Sequence, residues 1–169
     1  MYAKAMGGPL KPLRLYRIAA KSQALFGGLV CGGLLGPRGL FATPRQDRRL
    51  RELVILRTCA LLGADYEWNV HAAMFASGVG LSVDDLEHTR LIDRNPDHWT
   101  SDENCLLGLV ETLIGRKGID DALWHTLSSN FDETALIEYV AVIGLYAAVC
   151  YIIDLANIVS EPLIETNPR

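Results

Sequence analysis

The sequence predicts an all-α fold, a compact bundle of six to seven helices, on three observations. Apolar residues recur at helical spacing, while sustained β-alternation is absent. Ser, Thr or Asp stands ahead of most of the apolar runs, where its side chain caps a helix. Half of the 169 residues are apolar, which is ample core for one domain over 1–169 and excludes a disordered or collagenous chain.

In chain order, Leu13 to Leu35 predicts a first helix loosened by its glycines, and Gly36-Pro37-Arg38-Gly39 a turn. Thr43-Pro44-Arg45-Gln46 has the form of a capping box with proline at the first helical position, and Asp47 is a competing cap. The helix that follows carries Leu50, Leu53, Val54, Leu56 and Cys59 and stops at Gly63. Another starts near Asp65, contains Tyr66 to His71 and ends near Gly78 or Gly80. Ser82 opens a short helix, Thr100 one that runs to Gly115, and Asp120 one to about Leu127. Asn130-Phe131-Asp132-Glu133 caps a long final helix over about 132–158.

Charge is unevenly placed. Residues 1–57 hold eleven Lys/Arg against Asp47 and Glu52, a charge of +9, so the remainder carries −13. A basic third on an acidic body suits an anionic small molecule or the acidic faces of neighbouring subunits. Nucleic acid is not expected, because the pI is about 5.5 and no DNA- or RNA-binding motif is present. Cys31, Cys59, Cys105 and Cys150 have no short spacing and read as reduced core thiols. Tyr139 to Ile153 is apolar, but Glu138 and Asp154 close it at fifteen residues, short of the roughly 20 that span a membrane. No membrane partner is expected, and the location expected is cytoplasmic.

Two features offer chemistry. Glu67 and His71 stand four apart on one helix, so they share a face, and a carboxylate beside an imidazole is a proton-transfer pair. Tyr66 and Trp68 flank Glu67 as candidate pocket walls. Glu52 lies on a strongly apolar helix, where an acid is either a solvated edge or a buried functional carboxylate. Arg48, Arg49, Arg51 and Arg57 surround it in sequence.

Arg51-Glu52-Leu53-Val54-Ile55-Leu56-Arg57, then Tyr66-Glu67-Trp68-x-x-His71, then Gly80-Leu81-Ser82 resembles the core of the carboxymuconolactone decarboxylase family, in the alkylhydroperoxidase D-like superfamily. The resemblance covers about residues 36–92, and Glu138-Tyr139-Val140 with Tyr146 resembles the family's last helix. It implies the alkylhydroperoxidase D-like fold and a homo-trimer or homo-hexamer, with the pocket near a subunit interface. Compared with the peroxidatic branch, Glu52 falls on the relay glutamate and His71 on the relay histidine, while Ala64 and Glu67 occupy the two cysteine positions. Without those thiols a thiol peroxidase is not expected.

The decarboxylase-type branch implies a cofactor-free acid–base enzyme, with no metal, acting on a small anionic, lactone-like or otherwise enolisable substrate. Loss of CO2 beside a conjugated carbonyl leaves a dienolate that needs donors and then a proton. The expected catalytic residues are His71 as general acid/base, Glu67 as its partner and Glu52 as the completing relay. Tyr66 and Trp68 would shape the pocket, and Arg45 or Arg48 would pair with the substrate carboxylate. The alternatives are an isomerase, cyclase or dehydratase of a natural-product pathway using the same residues, and a non-catalytic oligomeric helical module. The module needs the scaffold but no enclosed Glu67–His71 pair. A metal held by Glu52, Glu67 and His71 is disfavoured, because no further histidine stands at ligand spacing.

Overall fold

A computed structural model describes residues 13–28 and 47–159. Among these residues the chain forms eight α-helices and no strand. They are α1 (Arg14–Ala19), α2 (Gln23–Phe26), α3 (Arg48–Leu61), α4 (Asp65–Met74), α5 (Val83–His88), α6 (Ser101–Ile114), α7 (Asp121–Asn130) and α8 (Glu133–Leu155). Two 3₁₀ turns, Ser77–Val79 and Pro96–His98, lie between them.

Within its described part, residues 13–28, the expected first helix is two short ones. The chain breaks at Ala20 to Ser22, and the Ser22 hydroxyl accepts from the Leu25 N–H to start α2. Among the described residues the count is therefore eight, against the six to seven expected. Asp47 caps α3, accepting from the N–H groups of Arg49 and Leu50. The competing Thr43 cap and the Gly36-Pro37-Arg38-Gly39 turn lie outside the described residues. Ser82 and Thr100 each complete a capping box, with Asp85 and Glu103 respectively. The helix of Glu67 and His71 stops at Met74, short of the glycines expected to end it.

Helix α3 is the centre. Residues Arg51 to Cys59 are buried without interruption, so every face of the helix is covered. It packs against α4, α6 and α8. Val54, Ile55 and Cys59 meet Leu106 and Val110 of α6 and Val142 and Tyr146 of α8. Leu53 and Leu56 face Leu81, Trp99 and Leu107 in a second cluster. A third joins Leu15 of α1 to Tyr66 and Val70 of α4 and Val149 and Ile153 of α8.

The turn from α3 to α4 takes three residues, with Gly63 in the left-handed region at φ 68°. The start of α3 therefore faces the end of α4, as the antiparallel hairpin expected from sequence requires. Arg57, only 2% exposed, donates to Glu111 of α6 at 2.7 Å and to the carbonyls of Thr89 (2.9 Å) and Leu91 (2.7 Å). That buried cation ties α3 to α6 and to the chain beyond α5.

Helix α8 has 23 residues and is the one helix among those described that is long and apolar enough to cross a membrane; half of its apolar window is buried inside the fold. Cys59, Cys105 and Cys150 are buried free thiols.

Because Ile55 is fully buried at the α3–α6–α8 junction, Ile55→Ala is expected to cost about 3 kcal/mol, read as a lower midpoint in chemical denaturation with an unchanged slope.

Candidate active site

The hairpin brings Glu52, Glu67 and His71 together. His71 Nδ1 lies 2.7 Å from Glu52 Oε2, and its Nε2 lies 3.6 Å from Glu67 Oε1. All three side chains are buried. Glu52 and His71 are nineteen residues apart and meet because α3 and α4 run antiparallel. Glu67 reaches the same ring because four residues complete about one helical turn. The second Glu67 oxygen, Oε2, is buried and makes no hydrogen bond.

Three charges share this small volume. Burial works hardest against a charged His71, but the bond to Glu52, helped by Glu67, outweighs it and raises its pKa to about 9. The position of His71 in the last turn of α4 favours the cation as well. At neutral pH the ring is therefore an imidazolium, a proton donor at rest. Arg51 Nε stands 4.0 Å from Glu52 Oε1 on the far side of that carboxylate.

The triad opens on a cavity of about 240 Å³. Its polar lining is Arg48, Arg51, Glu52, Glu67, His71, Tyr16 and Tyr146. Val70, Met74 and Phe75 of the α4 segment, Leu13 and Leu15 by α1, and Val149 of α8 supply apolar wall. The Tyr146 ring stands edge-on to the imidazole at 5.1 Å, and the Phe75 ring lies tilted at 5.0 Å. Burial, then the nearby Glu67 and Glu52 charges, pushes the Tyr146 hydroxyl well above its ordinary pKa, so it stays protonated and able to donate.

Two expected wall residues lie elsewhere. Tyr66 turns into the cluster of Leu15, Val149 and Ile153. Trp68 packs against the core, donates its indole N–H to Thr89 Oγ1 at 3.1 Å and carries the Arg90 guanidinium over its ring at 3.8 Å. Each neighbours Glu67 in sequence, but successive residues on a helix point about 100° apart. The walls come instead from Val70 and Met74, three and seven residues after Glu67.

Among the arginines, Arg48 lines the cavity as expected, and Arg45 lies outside the described residues. Arg49 and Arg57 do not surround Glu52. Arg49 binds Glu103 (2.7 Å), Asp85 (3.2 Å) and the Gly80 carbonyl, and Arg57 serves α6. Arg51, Tyr16 and Tyr146 are the polar lining residues that the sequence did not assign to the pocket. Tyr146 was marked only through the resemblance of the last helix, and Tyr16 had no signal.

Cys59 does not replace the missing thiols. It is fully buried, with its Sγ 3.9 Å from that of Cys150. The Cys150 contact, burial, and the Glu67 and Glu52 charges push its pKa well up, so the thiolate is suppressed.

An all-helical scaffold holding a buried carboxylate–imidazolium–carboxylate array over a small cavity is the frame of an acid–base site. Residues 38–106, a stretch that carries all three charged residues, match the model of the Carboxymuconolactone decarboxylase family. No curated protein and no solved structure matches the chain significantly.

The raised pKa has a measurable consequence. His71 is expected to titrate near pH 9 by NMR, and Glu52→Gln to lower that value. An unfolded histidine titrates near 6.5, so the stabilisation from this pair is complete below about pH 6.5 and is lost as pH rises through about 9. Thermal midpoints of wild type should fall over that window, and those of Glu52→Gln should fall less.

Proposed function

We propose that the protein is an acid–base enzyme, a carboxy-lyase acting on a small anionic, cyclic or enolisable substrate such as a carboxylated lactone. The observation that carries this reading is an enclosed, charged His71 between two carboxylates at the wall of a cavity. A non-catalytic module would need no such enclosure. The cavity is smaller than the roughly 300–1,000 Å³ that takes drug-sized ligands, which suits a metabolite.

The chemistry follows from the residues. The bond from a ring carbon to the departing carboxylate breaks, its electron pair enters the conjugated carbonyl, and CO2 leaves. The Tyr146 hydroxyl and the cations Arg48 and Arg51 offset the developing enolate charge or hold a carboxylate that is retained. His71 then gives its proton to carbon. Glu52 keeps the ring oriented, and Glu67, with one oxygen unbonded, takes a proton from water and passes it to the neutral ring, which restores the imidazolium. The step draws on side chains and water alone, and the same machinery serves isomerisation, cyclisation or dehydration.

The same reading takes the protein as cytoplasmic and as a homo-trimer or homo-hexamer. Helix α8 turns Ile137, Val140, Tyr151 and Leu155 outward, a stripe at helical spacing that a second copy of the chain would cover. Light scattering should give a mass three or six times 18.6 kDa, and Ile137→Glu combined with Tyr151→Glu should release monomers. A wild-type monomer would refute the assembly.

The catalytic test is CO2 release from a panel of carboxylated lactones, with solvent deuterium incorporated at the product carbon. His71→Ala and Glu67→Gln are expected to lower kcat by about 10²–10⁴-fold with circular dichroism unchanged. Arg51→Met should chiefly raise KM. Full turnover in both of the first two variants sinks the acid–base assignment, whereas deuterium exchange without CO2 release would point to an isomerase.

A further inference from the structure

A second polar cluster lies outside the catalytic cavity. Asp84 and His88 stand four apart on α5, and His98 closes the Pro96–His98 turn. The two imidazole rings stack at 3.8 Å between centroids, 2° from parallel. His98 Nδ1 is 3.4 Å from Asp84 Oδ2, whereas His88 Nδ1, 3.5 Å from Asp84 Oδ1, donates to the Asp84 carbonyl at 2.9 Å and so leaves the lone pair of the neutral ring on Nε2. One donor atom from each of the three residues lies within 4.8 Å of the other two.

The surroundings orient this group as a ligand set. His98 Nε2 is 2.8 Å from Asp85 Oδ1, so in the neutral ring Nε2–H donates there and Nδ1 keeps its lone pair on the Asp84 side. Asp85 is buried and held in turn by the Ser82 N–H at 2.8 Å and by Arg49. A carboxylate behind the far nitrogen of a ligating histidine is the recurrent outer arrangement of metal sites.

We propose that Asp84, His88 and His98 bind a divalent transition cation of the zinc, cobalt or nickel class. Two imidazoles and one carboxylate select these ions over magnesium or calcium. With metal–nitrogen bonds of about 2.0–2.1 Å, tetrahedral donors stand roughly 3.3 Å apart, close to the 3.4 Å between His98 Nδ1 and Asp84 Oδ2. The rings must fan out of their stack to converge on one ion. Asp84 is two-thirds exposed, which leaves the remaining coordination positions to water. The bound ion would pin α5 to the turn before α6, and Asp85 and Arg49 extend that tie to α3.

Trp99 reports on the site. Its buried indole stands edge-on to His98 at 4.6 Å and to His88 at 6.4 Å. The full chain, stripped with chelator, is titrated with Zn²⁺ by calorimetry and with Ni²⁺ by tryptophan fluorescence. Expected are one ion per chain, quenching by Ni²⁺, and binding about 10–100-fold weaker in His98→Ala and in Asp84→Asn. Asp84→Asn changes an exposed side chain without changing its shape, so it keeps the fold if His98→Ala does not. His71→Ala, which removes the imidazole of the other cavity, should leave the affinity unchanged. Absence of saturable Zn²⁺ binding below millimolar concentration, or binding undiminished in Asp84→Asn and His98→Ala, overturns the site.

Discussion

The architecture depends on one buried interaction, the 2.7 Å bond between Glu52 and His71. A lone carboxylate on a helix covered on every face would carry an uncompensated desolvation cost. Glu52 escapes it because the neighbouring helix delivers a cation to the same spot. That requirement fixes the register of α3 against α4, and the left-handed Gly63 permits the short turn between them. The cavity follows from the register. Glu67, Val70 and Met74 share a face with His71, so whatever aligns the imidazole on Glu52 also builds the pocket wall.

Much of this was legible in the sequence, for identifiable reasons. The Glu67–His71 spacing encodes a shared face, and Glu52 stands out as an acid in an apolar run. Caps at Asp47, Ser82, Thr100, Asp120 and Asp132 mark helix starts because backbone N–H groups there need acceptors. Adjacency misled where direction mattered, since Tyr66 and Trp68 border Glu67 in sequence but point away from it. The break between α1 and α2 turns on the capping Ser22, a weaker signal in the sequence than the glycines that follow it. The His88–His98 stack was not legible at all. Ten residues and a 3₁₀ turn separate the two rings, and no helical or strand period relates them.

The contrast between the basic N-terminal third and the acidic remainder has a partly internal explanation. Arg49 is engaged by Asp85 and Glu103, and Arg57 by Glu111, all from the acidic part. These pairs hold α3 to α5 and α6. Arg48 and Arg51 are the basic residues of α3 that border the cavity, so the sequence-level charge difference divides between assembly of the fold and the character of the pocket.

The short Gly63 turn also bears on how the molecule forms. Glu52, Glu67 and His71 all belong to one hairpin, whereas Tyr146 and Tyr16 reach the cavity from distant parts of the chain. Contacts of low sequence separation close with the smallest loss of chain entropy and are favoured early in folding. These three residues can thus find one another while the chain is still largely open, before α1 and α8 pack over them.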